Sequence, residues 1–447
     1  MPDPLPEIPL DAPVAAEAPP FVVADLPGPD WLRARRADGL DRAGHLPLPS
    51  DEAEEWRYSR IAELDLERFA PAPADPVEPG TIDVPAAVGE VLAELGPLSG
   101  VVVLVDGRVV HAEAEGEPWD AGVRFGSSHD DAVEAEAVLG DAADHPVDLF
   151  AAWNDALSVE PVVLDVPAGV VVERPFAVVS YVATEGIAAF PRLSVRLGAD
   201  AEASLVEVHL SAEVTSLVAP VTELSVAPAA RLRHAVLQDL DERVWQLGSL
   251  LATVDRDATL EVGVAALGGD YARLRLDCRL QGRGATGNLS SVYLGEDHQM
   301  LDLRTFQSHE APDTTSNLLF KGGVADTSHS VYTGLIRIAP GARGSNAFQT
   351  NRNLKLSDGA WAESVPNLEI ENNDVHCSHA STVGPVDPDQ RFYLESRGVP
   401  TSVADRLVVG GFFDEVLDDF AVPALVSTIS ERMDRTLDRA LGRTAAT

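Results

Sequence analysis

A cysteine, two histidines and three carboxylates fall within the thirteen residues Asn367-Leu368-Glu369-Ile370-Glu371-Asn372-Asn373-Asp374-Val375-His376-Cys377-Ser378-His379. If Val375 to His379 runs extended, Val375, Cys377 and His379 face one way and His376 and Ser378 the other. A thiolate and an imidazole two residues apart on one face suit a soft or borderline metal. They supply only two ligands. A closed site needs more, from Glu369, Glu371 or a second chain, with His376 as a weaker donor. Composition alone leaves two readings open, an exposed polar strand end and a metal or sulfur site.

Other reactive residues carry less. His298, His309 and His329 lie in polar segments near Asp302, Arg304, Asp313 and Asp326, as solvent-exposed turns would place them. His234 sits in a strand and reads as structural. Leu274, Leu276, Cys278 and Leu280 share one strand face, and Arg273, Arg275, Asp277 and Arg279 the other, so Cys278 reads as a buried, inert thiol. The chain has no Walker A loop, no G-x-S-x-G elbow, no H-E-x-x-H pair and no C-x-x-C pair. A non-catalytic protein is expected.

The elements that must position these residues change character along the chain. Residues 1–29, rich in Pro, Ala and acid, read as a disordered tail. Residues 30–80 read as a helical N-terminal region and linker. Asp30 is its expected N-cap, a second helical piece covers Asp51 to Tyr58, and a stiff stretch runs from Ala70 to Pro76. Residues 81–160 look mixed α/β, with a strand at Val101–Val105 and a helix from Asp148 to Leu157. Residues 161–385 are a mainly β core of short alternating Val/Leu runs. Its turn residues Ala201, Ala230, Ala258 and Ala285 are spaced by 29, 28 and 27 residues. Later turns at Pro340 and Ser357 are 17 apart. A recurring strand–turn–strand unit predicts a solenoid, in which each unit buries its apolar face on its neighbours. A β-sandwich competes with it. Residues 386–447 read as a C-terminal helical domain. Asp387 to Arg397 is closed by Gly398, Thr401 caps a second helix, and Pro423 opens a third with Leu425, Ile429, Met433, Leu437 and Leu441 on one stripe.

Composition narrows the function. The formal net charge is −39 over 447 residues. Such a surface repels phosphate backbones and anionic membranes, so neither nucleic acid nor membrane is an expected partner. It suits a solubilising surface, including one in a salty cytosol. Lys321 and Lys355 are the only lysines. Two cysteines do not make a disulfide framework, and no secretory signal or 18-residue apolar run is visible, so a cytoplasmic protein is expected.

Longer stretches carry a resemblance. Cys377-Ser378-His379-Ala380-Ser381-Thr382-Val383-Gly384, with Asp389-Gln390-Arg391-Phe392-Tyr393-Leu394 and Ser396-Arg397-Gly398-Val399 after it, resembles the SufB/SufD family of iron–sulfur cluster assembly. Val166 to Pro175, Ala347 to Leu354 and, more loosely, Glu55-Trp56-Arg57-Tyr58 resemble it too. The resemblance implies a right-handed parallel β-helix flanked by helical domains. It implies a cytosolic scaffold subunit, acting in iron acquisition, in complex with a SufB-like chain and a SufC-like ABC ATPase that docks on the C-terminal helices. A transient iron–sulfur cluster would form at the SufB–SufD interface, with ATP hydrolysis in the ATPase subunit and a homodimer when the SufB-like chain is absent. A SufB-like chain carries Cys-Asp-Ser where this one has Asn351-Arg352-Asn353-Leu354, and Glu-His-Glu-Ala where it has Cys377-Ser378-His379-Ala380. Both departures favour a SufD-like chain. In such chains the resemblance makes His379 the cluster or iron ligand, with Cys377 beside it. A SufB-like role and an unrelated carbohydrate-active solenoid are the alternatives.

Overall fold

Strands that alternate apolar and polar residues bury one face only, and a chain of them solves this by coiling. In the computed structural model, which describes residues 21, 26–72, 82–114, 117–140, 142 and 146–444, residues 162–385 wind into a parallel β-solenoid of about eight turns. One sheet runs through Arg124–Ser127, Val162–Val166, Arg192–Leu197, Val221–Val226, Val244–Val254, Tyr271–Leu280, Met300–His309, His329–Ile338 and Trp361–Ile370. The second runs through Arg108–Glu113, Gly100–Val105, Phe176–Val182, Glu202–Ser211, Arg231–Asp239, Thr259–Ala266, Thr286–Gly295, Thr315–Val324, Asn346–Lys355 and His376–Pro385. Antiparallel pairs occur only at the N-terminal end, between Arg124–Ser127 and Val162–Val166 and between Gly100–Val105 and Arg108–Glu113. The sandwich alternative is thereby excluded.

The register holds side chains in columns that run through the lumen between the sheets. One column is Leu224, Ala252, Cys278, Gln307, Ile336 and Leu368. Another is Leu232, Leu260, Gly287, Ser316, Ala347 and Cys377. Each aliphatic side chain buried there stabilises the fold by roughly 1.5–3 kcal/mol. Cys278 is buried as the alternation predicts, and burial pushes its thiol up to about 12.

Ala201, Ala230, Ala258 and Ala285 are all buried where the chain turns into the second sheet. Each follows a residue in the left-handed region, in turn Asp200, Ala229, Asp257 and Gly284. Asp313–Thr314 and Gly344–Ser345 continue that corner. Ser357–Ala360 does not. It lies at the opposite corner, below Asp297 and Asp326, because every coil turns twice. The spacing of 17 residues therefore measures half a coil and is not a repeat.

Helices cover both outer faces. α1 (Asp30–Ala43), α2 (Ala86–Leu95), α3 (Glu117–Asp120) and α4 (Leu149–Leu157) precede the coils, and α5 (Pro388–Glu395), α6 (Thr401–Leu417) and α7 (Val426–Thr444) follow them. The face carrying Val206, Val208, Leu237, Val292 and Leu294 packs on α2, α6 and α7 through Phe413, Phe420, Ile429, Met433 and Leu437. A side chain at Gly263 would sit 2.8 Å from the Phe420 ring, so glycine there lets the helical layer approach. The other face lies under Trp56, Phe150 and Trp153. Trp56 stacks 3.7 Å from the Arg273 guanidinium, and Arg304 donates to the Arg57 carbonyl at 2.8 Å.

Local expectations shift in five places. Phe21, within the supposed tail, is buried against Trp153 and Phe190. The rest of residues 1–25 lies outside the described residues. Asp30 is the first helical residue and Pro29 the cap. Asp51 to Tyr58 holds only the 3-10 turn Glu54–Trp56, because Trp56 is drawn under Arg273. Ala70–Pro71 is a strand paired with Ile187 and Ala188, while residues 73–76 lie outside the described residues. Thr401 is not a cap, since its hydroxyl donates to Glu395 at 2.7 Å and Pro400 holds the cap position. Asp148 caps α4 and accepts from the Ala151 amide, and Gly398 (φ 84°) follows α5, as expected. No helix among the described residues is long and apolar enough to cross a membrane.

Candidate functional site

The last coil is built from Trp361–Ile370 and His376–Pro385, each paired on one side only. Two ten-residue parallel edges therefore end the solenoid with their amides and carbonyls unpaired by any described strand. Long open edges of this kind invite a further strand. Ile370 and Val383 stand exposed beside them, at 45% and 41% of their surface.

Cys377 and His379 sit on the lumen side of this coil, in register with Ala347 and Gln349 of the coil below. Their α-carbons are separated by about 6.6 Å of strand rise. Val375 and Cys377 pack against Ile336, Ile338, Ala342 and Ala347. Burial raises the Cys377 thiol above its ordinary value. His379 is exposed, because no further coil lies over it. His376 takes the outer face, and the Glu371 carboxylate accepts from Arg337 at 3.1 Å. The structure thus brings Cys377 and His379 to one face and leaves Glu371 and His376 off it. Among the described residues, no group of three His, Cys, Asp or Glu side chains is arranged to hold a metal ion. Any cluster at this mouth needs donors from a second chain.

Behind the mouth the lumen is polar. Asn351 donates to the Tyr293 hydroxyl at 2.8 Å, Tyr293 donates to Asn353 at 2.7 Å, and Asn353 donates to Asn351 at 2.8 Å. Asn351 and Asn353 thereby close a buried hydrogen-bonded ring with Tyr293, with no thiol in it. His309 corrects the expectation of an exposed turn. It is fully buried, bonded to Thr314 at 2.8 Å and Ser316 at 2.9 Å, and burial lowers it to about 4. His298 and His329 are exposed as expected.

Sequence reading missed the charged group at the far end of the lumen. Glu207 is buried with Oε1 3.0 Å from His209 Nε2 and Oε2 3.1 Å from His234 Nε2, and Thr222 donates to both oxygens at 2.9 Å. Despite the opposing effect of burial, the two imidazoles hold the carboxyl well below the usual carboxylate range. Alternation carried the signal, since Glu207 and His209 share the parity of Ala203 and Leu205 and so had to face the lumen.

The helical side of the molecule offers a second surface. Phe392 and Tyr393 of α5 and Val403 and Leu407 of α6 are exposed at 69%, 56%, 45% and 54%, which makes them a contiguous apolar candidate for a partner. Beneath α6, Lys321 is buried; its ammonium donates to the Phe412 carbonyl at 2.6 Å and pairs with Glu415.

Comparison with known proteins agrees with this architecture. Residues 180–412 match the family model described as SUF system FeS cluster assembly, SufBD core domain. The chain is 37% identical over 280 residues, 61% of it and 68% of the relative, to the iron–sulfur cluster assembly SufBD family protein Rv1462 of Mycobacterium tuberculosis. It is 26% identical to the iron–sulfur cluster assembly protein SufD of Bacillus subtilis, across 91% of this chain and 94% of that one. The SufD of Escherichia coli is also 26% identical, across 91% and 96%. The unrelated carbohydrate-active solenoid is set aside, and the chain belongs to the SufBD family of iron–sulfur cluster assembly proteins, with SufD-like relatives along nine-tenths of its length.

Proposed function

We propose that this chain is a SufD-like scaffold subunit of a cytoplasmic complex that builds iron–sulfur clusters, without catalytic activity of its own. Its open coil would meet a SufB-like chain edge to edge. Its C-terminal helices would receive a SufC-like ABC ATPase, which supplies the ATP hydrolysis. Iron and sulfide are cargo in this reading. The observation that carries it is the uncapped last coil, which presents Cys377 and His379 beside two free strand edges. A half-complete donor set at an unpaired edge is what a shared interfacial site requires. The SufD-like assignment rather than SufB-like is supported by the Tyr293–Asn351–Asn353 ring, which holds no sulfur acceptor.

Binding of metal by Cys377 displaces its proton, and the neutral imidazole of His379 supplies a lone pair. ATP-driven approach of the helical domains would strain the solenoid ends and open this mouth to iron. The test is anaerobic co-expression with SufB-like and SufC-like partners, assaying iron and acid-labile sulfide in wild type and His379→Ala. The reading expects an intact complex that loses its cluster in the variant. Normal loading by the variant removes His379 from the site, and absence of any complex removes the scaffold function.

A further inference from the structure

We propose that α6 contains a hinge at Gly410–Gly411, about which α5 and the first half of α6 swing toward the solenoid. This rests on the scaffold reading only for what drives the motion. Helix interiors disfavour glycine relative to alanine, so a pair of them in a 17-residue helix calls for a cause. Packing provides none. A side chain at either position would meet nothing within 4 Å, and neither glycine adopts a positive φ. Gly263 and Gly323 differ, since side chains there would run into Phe420 and into Leu294 and Phe413. Paired glycines are a recognised place for a helix to bend, and hinges absorb motion at a few such residues.

The two halves of α6 are held differently. Past the glycines, Phe413, Val416 and Leu417 are buried on the sheet, and buried Lys321 grips the Phe412 carbonyl and Glu415. Before them, α5 has no buried residue. It is tied to α6 by Arg391–Asp405, and α6 to α7 by the exposed pairs of Arg406 with Asp434 and Asp438, with Ala404 and Val409 as the buried contacts. Exposed pairs of that kind are weak and yield readily. There is also room to move. An open cleft of about 770 Å³ separates Arg352, Leu354 and Pro385 of the solenoid from Gln390, Tyr393 and Leu407 of the helices. Bending at the glycines closes this cleft and carries Phe392, Tyr393, Val403 and Leu407 with it. A partner gripping those side chains could thus pull on one body while the other stays fixed to the coils.

The test uses the full chain with Cys377→Ser, spin-labelled at Asp389→Cys on α5 and Asp358→Cys at a solenoid corner. Electron–electron distance measurements should give a broad distribution that narrows when Gly410→Ala and Gly411→Ala are combined. Equal widths in both chains would overturn the hinge. The alanine pair should also raise the melting temperature, since it fits the helix without a clash, and a lowered value would count against the proposal. In the three-subunit complex, the pair should leave binding of the ATPase subunit unchanged while cluster yield falls several-fold. Unchanged yield would overturn the hinge as a coupling device, and lost binding would mean that the glycines serve close approach of the partner instead. If the native chain binds no ATPase subunit, the scaffold reading fails, while the distance measurement still decides the hinge.

Discussion

Removing the charge of Glu207 should be among the most damaging single changes in the solenoid. Its two oxygens hold His209 at 3.0 Å, His234 at 3.1 Å and Thr222 at 2.9 Å in a lumen from which water is excluded. Breaking a buried pair by removing one partner costs about 3–5 kcal/mol, because the groups left behind keep their desolvation penalty. At about 2–4 °C per kcal/mol for a unit of this size, Glu207→Gln should melt roughly 6–20 °C below wild type at pH 7. The sign of the pH dependence follows from the depressed carboxyl. A group whose pKa falls on folding stabilises the protein above its unfolded value, about 4.3 for Glu, and that stability is lost as pH falls toward the folded value. The gap between wild type and variant should therefore narrow below about pH 4. Circular dichroism melts and urea titrations of the full chain at pH 7 and in mild acid measure both. Replacing Glu207, His209 and His234 together by leucine should recover much of the loss, since apolar groups leave nothing unpaired. A Glu207→Gln loss below about 1 kcal/mol, or a gap indifferent to pH, would refute the reasoning.

Other changes test the rest of the frame. Lys321→Met strips the Phe412 carbonyl and Glu415 of their buried partner, and should cost about 1.5–3 kcal/mol and speed amide exchange in α6, with wild-type exchange as the refuting result. A maleimide should modify Cys377 slowly at neutral pH and faster as pH rises toward its elevated pKa, while Cys278 stays unlabelled until the chain unfolds; early labelling of Cys278 would show that the lumen opens. A side chain at Gly282 would sit 1.9 Å from the Arg256 backbone nitrogen, so Gly282→Ala must push two coils apart and should cost at least about 1–3 kcal/mol, against no change if the corner relaxes freely. With a net charge of −39, the unfolding midpoint should rise with added salt between low and physiological ionic strength, and a flat response would show that self-repulsion is negligible.

The sequence by itself determined whatever depends on period and local chemistry. Leu274 to Leu280 announced a two-faced strand, and the buried alanines at 201, 230, 258 and 285 announced a coil of constant length. Asp148 and Gly398 marked helix ends because cap geometry is local. Cys377 and His379 could be placed on one face because a strand alternates. What the sequence left undecided depends on which coil lies against which. Two corners per coil turned the 17-residue spacing into half a turn. His309 looked polar and exposed until Thr314 and Ser316 met it inside the lumen. Glu207, His209 and His234 lie up to 27 residues apart, on adjacent strands. Only the tertiary structure makes them one group, because electrostatic partnership is decided by a few ångströms of stacking that no local period records. The same holds at the mouth. Residue types mark His379 and Cys377 as ligands, but only the end of the stacking leaves them open to a second chain.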